Sequence, residues 1–274
     1  MKITFIGGGN MANAIITGLL NKGFSDDQIG IVEADAEKRK TLSVRFRCED
    51  PANTYKLIDA DTVVVLAVKP QQAKEALEQL GIEKDANLMI SIMAGIKLST
   101  ISRHRAGYMR VVRAMPNTPA LIGAGITGYY THPATISNAV SAEDLRRTEQ
   151  ILGAIGSTVR VNAEDELDAV TAVSGSGPAY VFYFIEALRN AGIELGLASD
   201  VANKLALETF LGAAQLAAQS HDDVAILRER VTSKGGTTAA ALASMTEDHV
   251  KEAVIRAVKA AQLRSVQLGN ELGN

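Results

Sequence analysis

Apolar positions fall into two regimes along this chain, and the change between them comes near residue 161. Before it, short apolar runs alternate with stretches of helical periodicity. Ile3, Phe5 and Ile6 form a first run that stops at Gly7-Gly8-Gly9, and Asn10 to Leu20 is then rich in Ala, Ile and Leu. That order predicts a strand, a glycine turn and a helix. Gln28–Glu33 carries Ile29, Ile31 and Val32 as a second strand, followed by the charged, helix-compatible segment Ala36–Phe46. Asp61–Val68 (DTVVVLAV) is a nearly continuous β-branched run, the pattern of a strand buried on both faces. It ends in Lys69-Pro70, with Pro70 suited to the first turn of a helix running to Leu80. Asn87–Met93 (NLMISIM) repeats the theme and turns at Ala94-Gly95. Met109–Arg113 and Ile126–Tyr130 are two further strands, separated by Met115-Pro116-Asn117-Thr118-Pro119. Helix Ala142–Leu152 and strand Ser157–Val161 complete the series. Strands alternating with helices predict an α/β fold with a doubly wound, mostly parallel sheet.

Beyond 162 the strand signals cease. Gly177-Pro178 opens a helix with Tyr180, Val181, Phe184, Ile185 and Leu188 on one face. Ser199 is placed to cap the next helix, Asp222/Asp223 open a shorter one, and Thr246 is placed to cap a last helix reaching Leu268. The pattern predicts residues 1–161 as a sheet domain and 162–274 as an all-helical, Ala-rich domain. Its apolar stripes are wide, which points to burial against a second copy of the chain, with a compact monomeric bundle as the alternative.

Composition narrows the classes. Apolar residues make up 47% and charged residues 22%, as in a globular protein, while aromatics are only 4% and Trp is absent. The cores must therefore be built from Ala, Val, Leu and Ile. A net charge of −3 recommends neither nucleic acid nor an anionic membrane as partner. Cys48 is the single cysteine, which excludes an internal disulfide and a Cys-based metal cluster and suits a reducing cytoplasm. The histidines at 104, 132, 221 and 249 form no ligand pair at helical spacing, so no metal is expected. No apolar run approaches the ~18 residues of a membrane span, and no leader precedes the first strand. The expectation is a soluble, intracellular protein.

Candidate chemistry starts at Gly7-x-Gly9-x-x-Ala12, which fits the G-x-G-x-x-G/A dinucleotide fingerprint in its required strand–turn–helix context. Gly7 permits the turn, Gly9 admits the pyrophosphate, and Ala12 keeps helix and strand close. The helix N–H groups and dipole then face the phosphates. Ligands of open α/β sheets bind at the carboxyl ends of strands, which adds the loops Val68–Gln71 and Ile92–Gly95. Lys69 either reaches a ribose or phosphate or is a solvated lysine ahead of a helix. Glu33 and Asp35 end the second strand, at about the distance from the glycine loop where an acid contacts a ribose 2′-hydroxyl. In the helical part, VTSKGGTT (231–238) is either a small-anion site at a helix start or an ordinary Gly-Gly turn with a Thr cap. No Ser-His-Asp set, paired carboxylates or activated cysteine stands out, which fits hydride transfer by a cofactor that the protein positions.

Five ordered motifs resemble the pyrroline-5-carboxylate reductases, the last enzymes of proline synthesis: IGGGNMANAI, LAVKPQ, MPNTPA, DAVTAVSGSGPAYVF and VTSKGGTTAAALASMTE. The resemblance covers nearly the whole chain. It implies an N-terminal Rossmann-like domain and a C-terminal helical dimerisation domain, with dimers often assembling further and a substrate site between the helical domains near the nicotinamide. It implies reduction of 1-pyrroline-5-carboxylate to L-proline with NADPH or NADH. Carried over residue by residue, Ile6, Gly7, Gly8, Gly9, Asn10, Met11 and Ala12 would hold the pyrophosphate. Asn53, Ala67, Val68, Lys69, Pro70, Ile92, Met93 and Ala94 would line adenosine, ribose and nicotinamide. Gly236, Thr237 and Thr238 would bind the substrate carboxylate, with the Thr238 hydroxyl near the ring nitrogen as the catalytic contact and Ser233 close by.

Two features bear on this expectation. Members of the family mostly favour NADPH, and many carry Asn-Arg or Ser-Arg after the second strand, whereas this chain has Glu33-Ala34-Asp35. A carboxylate repels a 2′-phosphate and accepts from a 2′-hydroxyl, so NADH is expected to serve at least comparably. Lys38 and Arg39 follow and either offset that repulsion or lie in solvent. Competing readings are a β-hydroxyacid dehydrogenase-like enzyme or other imine reductase, and a non-enzymatic dinucleotide-binding protein. The dehydrogenase pattern resembles one with a catalytic lysine in the helix after the central glycine loop, and Gly177–Leu195 contains no lysine.

Overall fold

A computed structural model describes residues 1–80, 87–133 and 139–272. Eight strands, β1 (Lys2–Ile6), β2 (Ile29–Val32), β3 (Arg47–Glu49), β4 (Thr62–Leu66), β5 (Met89–Ser91), β6 (Val111–Met115), β7 (Gly125–Thr131) and β8 (Gly156–Arg160), form one sheet in the order 3-2-1-4-5-6-7-8. All neighbouring pairs are parallel except β6–β7. The residues between β6 and β7 fold into a single 3-10 turn, Thr118–Ile122, which is too short for a parallel crossover. The MPNTP segment therefore reverses the chain.

The helices α1 (Asn10–Asn21), α2 (Ala36–Leu42), α3 (Ala73–Glu78), α4 (Leu98–His104), α5 (Ala142–Leu152) and α6 (Glu166–Val170) belong to this part. Two apolar clusters cover opposite faces of the sheet. Ile3, Phe5, Val63 and Val65 pack with Ile15, Ile16 and Leu19 of α1 and Ile151 and Leu152 of α5. Ile6, Val64 and Leu66 pack with Leu77 of α3 and Leu98 and Ile101 of α4. The period-two side-chain alternation of β4 thus feeds both clusters, which is why DTVVVLAV shows no polar face. The sheet is doubly wound. Strand β3 went unpredicted, because Arg47-Cys48-Glu49 is a three-residue edge strand without apolar alternation.

The rest of the chain is helical: α7 (Gly177–Glu194), α8 (Ser199–Gln219), α9 (Val224–Arg230), α10 (Thr237–Glu247) and α11 (Val250–Leu272). By packing, Met1–Ser176 and Ala261–Asn274 form one compact unit and Gly177–Ala260 another. This division differs from one drawn where strand signals stop, since α6 and the end of α11 pack with the sheet. Ser265 on α11 donates to the buried Asp168 carboxylate of α6 at 2.6 Å. In the helical unit α7 meets α8 where Gly192 faces Ala202, yet Ala202 and Ala206 are its only buried apolar side chains among the described residues. Asp223 caps α9 by accepting from the Ala225 N–H. Two expected caps are corrected. Ser199 is the first residue of α8, with Ala198 at the cap position. Thr246 lies inside α10 and donates to the Leu242 carbonyl, so it does not start α11.

Candidate active site

The sheet order reverses at β1, between β2 and β4, and the crevice at a switch point of this kind is where open α/β sheets take ligands. The glycine loop after β1 lies there. Gly7 has φ +102°, and a Cβ on it would sit 2.9 Å from the Ala67 carbonyl oxygen, so the loop passes against β4's end in a conformation only glycine allows comfortably. Gly9 has no neighbour within 4 Å of the position a Cβ would take. It is also the cap residue of α1, and no side chain satisfies that helix start. Open space in front of unused N–H groups at the positive end of a helix is the cradle a pyrophosphate requires. The dinucleotide therefore fits the residues present.

A cleft of about 320 Å³ runs from β2 across β1 to β4. Among the expected cofactor residues, Ile6, Gly7, Gly8, Gly9, Glu33, Asp35, Ala67, Val68 and Lys69 line it. Asn10, Met11 and Ala12 form the first turn of α1 behind the loop, with Ala12 buried. Asn53 lies in the 3-10 turn Pro51–Lys56, whose Pro51 and Thr54 line the cleft. Pro70 opens the 3-10 turn after Lys69. Ile92, Met93 and Ala94 follow β5, the neighbour of β4, and Met93 is buried in the second apolar cluster. Lys38, one of the two cations expected near the ribose, lines the cleft as well, and so do Gln72 and Ala76, for which the sequence carries no signal. Pro51 and Thr54 carry no fingerprint, because the unpredicted β3 is what brings their turn to the cleft.

The acids at the end of β2 have definite partners. Glu33 Oε2 accepts from the Gly8 N–H at 3.0 Å and Oε1 accepts from the Asp35 N–H at 3.0 Å. Asp35 caps α2, accepting from the Glu37 and Lys38 N–H groups. The Lys38 backbone bond, ahead of the slight opposing effect of burial, holds the Asp35 carboxyl below its ordinary range. Arg39 donates to the Glu33 and Ala34 carbonyls and pairs with Asp50 at 3.2 Å. Its guanidinium is engaged at the backbone, whereas the exposed Lys38 faces the cleft.

In the helical unit, Gly235 takes φ +71° and Gly236 becomes the cap residue of α10 without any side-chain cap. Thr237 and Thr238 form its first turn, so their N–H groups have no intrahelical partner. The Gly236 N–H donates to the Ser233 carbonyl at 3.0 Å, and a Cβ on Gly236 would sit 2.4 Å from Ser233 Oγ. The four expected substrate residues thus share one tight turn, with hydroxyls and N–H groups at a helix start.

Two family models match the chain. One, described as pyrroline-5-carboxylate reductase dimerisation, matches residues 164–268. The other, described as NADP oxidoreductase, coenzyme F420-dependent, matches residues 2–95. The pyrroline-5-carboxylate reductase of Pseudomonas aeruginosa is 41% identical over 274 residues, spanning 99% of this chain and 98% of its own. That of Haemophilus influenzae is 40% identical over 269 residues, 97% of either chain. Among solved structures, a pyrroline-5-carboxylate reductase from Coxiella burnetii superposes with a TM-score of 0.87 at 36% identity, covering 97% of this chain and 98% of that one. The Plasmodium falciparum pyrroline carboxylate reductase with NADP bound gives a TM-score of 0.85 at 29% identity, covering 98% of each. Relatives of the same length at this identity and on the same fold place this protein: the chain belongs to the pyrroline-5-carboxylate reductase family.

Proposed function

We propose that this chain reduces 1-pyrroline-5-carboxylate to L-proline, the last step of proline synthesis. The observation that carries the reading is the open glycine cradle at the end of β1, in a chain that matches reductases of this family along its full length. Reduced nicotinamide supplies the hydride. Ile6–Ala12 hold the pyrophosphate, and Asn53, Ala67–Pro70 and Ile92–Ala94 line the remainder of the cofactor. The N–H groups of Gly236, Thr237 and Thr238 take the substrate carboxylate, and the Thr238 hydroxyl lies by the ring nitrogen, with Ser233 supporting the turn. The protonated imine is already electrophilic at carbon, so hydride addition yields the secondary amine without a dedicated protein acid.

The cofactor reading is that NADH serves comparably to NADPH or better. The Glu33 carboxylate, tied to the glycine loop and lining the cleft, is an acceptor for a ribose 2′-hydroxyl and a repulsive neighbour for a 2′-phosphate. Exposed apolar side chains on α7 and α8 support a homodimer as the basic assembly, and a cytoplasmic location suits the single free cysteine. No helix among the described residues is long and apolar enough to cross a membrane. Purified protein mixed with pyrroline-5-carboxylate and either reduced cofactor is expected to consume the nicotinamide absorbance. No loss with NADH or NADPH would refute the assignment.

A further inference from the structure

Residue Asn117 spans two parts of the sheet unit that the sequence places far apart. Its Oδ1 accepts from the Ile126 N–H at 2.9 Å and closes the reversal between β6 and β7. Its Nδ2 donates to the Ser174 carbonyl at 3.2 Å, across 57 positions of the chain. The side chain is buried, so both bonds form where water competes poorly.

Ser174 lies in a π-turn, Thr171–Gly175, that follows α6. The Ser176 N–H bonds back to the Thr171 carbonyl at 2.8 Å, the i to i−5 closure of such a turn. Turns of this type depart from regular helix geometry and are frequent at functional sites. This one is held from both sides. Thr171 and Ser174 hydroxyls bond to the Leu167 and Val170 carbonyls. Gly128 on β7 has no side chain where Val170 packs down, since a Cβ there would come within 2.6 Å of a Val170 methyl. The terminal methyl of Met115 lies against Gly175.

The strand order gives this turn its place. A dinucleotide with its adenosine at β2 and its pyrophosphate over β1 directs the nicotinamide toward β4 and β5. The next strand, about 5 Å further on, is β6, and its carboxyl end is Met115, two residues before Asn117. We propose that Asn117 is a positioning residue for the reduction, locking the π-turn Thr171–Gly175 beside the carboxyl ends of β5 and β6 so that Ser174–Ser176 form a fixed wall at the nicotinamide end of the cleft. This rests on the reductase reading above.

The two halves of the carboxamide can be separated. Asn117→Asp keeps an acceptor for the Ile126 N–H and loses the donor to the Ser174 carbonyl, except where the new carboxyl is protonated. The variant is expected to lose about 10- to 100-fold in kcat, as a misplaced wall does, with the NADH Kd measured by fluorescence within about twofold. Its thermal midpoint should fall, since an ionised carboxylate is then buried opposite the Ser174 carbonyl, while NADH binding persists. The deficit relative to wild type should shrink as pH falls, because the protonated acid regains the donor. Wild-type enzyme assayed in parallel separates the two readings, since an inactive wild type defeats the reductase assignment and not this proposal alone. With an active wild type, a variant with unchanged kcat, a deficit independent of pH, or a parallel loss of NADH affinity overturns the positioning role. Should Asn117→Asp not fold, Asn117→Ser is read in its place. Wild-type kcat in that variant, or failure of both to fold, also overturns the proposal.

Discussion

Glu33 Oε2 accepts a hydrogen bond from the Gly8 N–H at 3.0 Å, so the acid that ends β2 is moored to the glycine loop after β1. In the proposed cofactor pose the adenosine ribose meets this carboxylate, which cannot swing away without leaving Gly8 unpaired. Replacing it by serine removes the charge and keeps a small polar group. Glu33→Ser is expected to raise the ratio of kcat/KM for NADPH over NADH about tenfold, the scale of 1–2 kcal/mol for a screened like-charge contact near a surface. Raising the salt concentration should narrow the wild-type difference and leave the variant nearly unaffected. A ratio that stays put would mean that the carboxylate does not meet the ribose.

At the start of α10, no side chain caps the helix, and Thr238 is partly buried in its first turn. Its hydroxyl is therefore available to a ligand. Thr238→Ala should lose about 1–3 kcal/mol of transition-state stabilisation, read as kcat/KM for pyrroline-5-carboxylate. The thermal midpoint should hardly move. An unchanged kcat/KM would remove Thr238 from the substrate contacts.

The Arg110–Asp144 pair joins β6's approach to α5 in a bidentate contact, Nε to Oδ2 at 3.0 Å and Nη2 to Oδ1 at 2.9 Å. Burial alone would raise the Asp144 carboxyl, but the Arg110 bonds together with the Ser141 N–H and hydroxyl outweigh it and hold it below the ordinary carboxylate range. The folded value lies under the unfolded one, so the pair stabilises the protein above the usual carboxylate range of about 4, and that stability is lost as pH falls through the folded value. Asp144→Asn should cost about 2–4 kcal/mol at neutral pH, at the lower side of buried pairs because the Arg110 side chain remains 27% exposed. The variant's unfolding midpoint should also decline less steeply in acid. Equal acid slopes for the two proteins would show that Asp144 does not carry this dependence.

Phe182 and Tyr183 on α7 and Leu205, Leu211 and Leu216 on α8 are all at least half exposed in one chain, while the helical unit buries only two alanines among its described residues. Apolar area of this extent is seldom left in water. Sedimentation at micromolar concentration should give at least twice the 29.0 kDa chain mass. A chain-mass species would contradict the dimer.

Much of the candidate site's local geometry was legible because its parts are close in sequence. The Gly7–Ala12 fingerprint needs only a strand, a turn and a helix in sequence, and β1, the loop and α1 follow in that order. The Ser233–Thr238 turn is equally local, its φ > 0 glycine and uncapped helix start falling within six positions. Helix α5 spans the expected Ala142–Leu152, since Ser141 and Asp144 form a capping box at its start. Pro51 and Thr54 left no signal because they reach the cleft through β3, an edge strand whose three residues carry no apolar rhythm.

By itself, the sequence determined the alternation of strands and helices, the two-faced burial of β4, the glycine cradle and the helical character of the second half, because hydrophobic period and turn chemistry act over a few residues. Only the tertiary structure decided the rest. The β6–β7 reversal, the return of the end of α11 to the sheet unit through Ser265 and Asp168, the engagement of Glu33 by Gly8 and the link from Asn117 to Ser174 each join residues whose separation along the chain leaves no local trace. Such contacts are selected by which faces must be buried together and by the need of every buried polar group for a partner. That requirement is met by the whole fold and cannot be written into any single stretch.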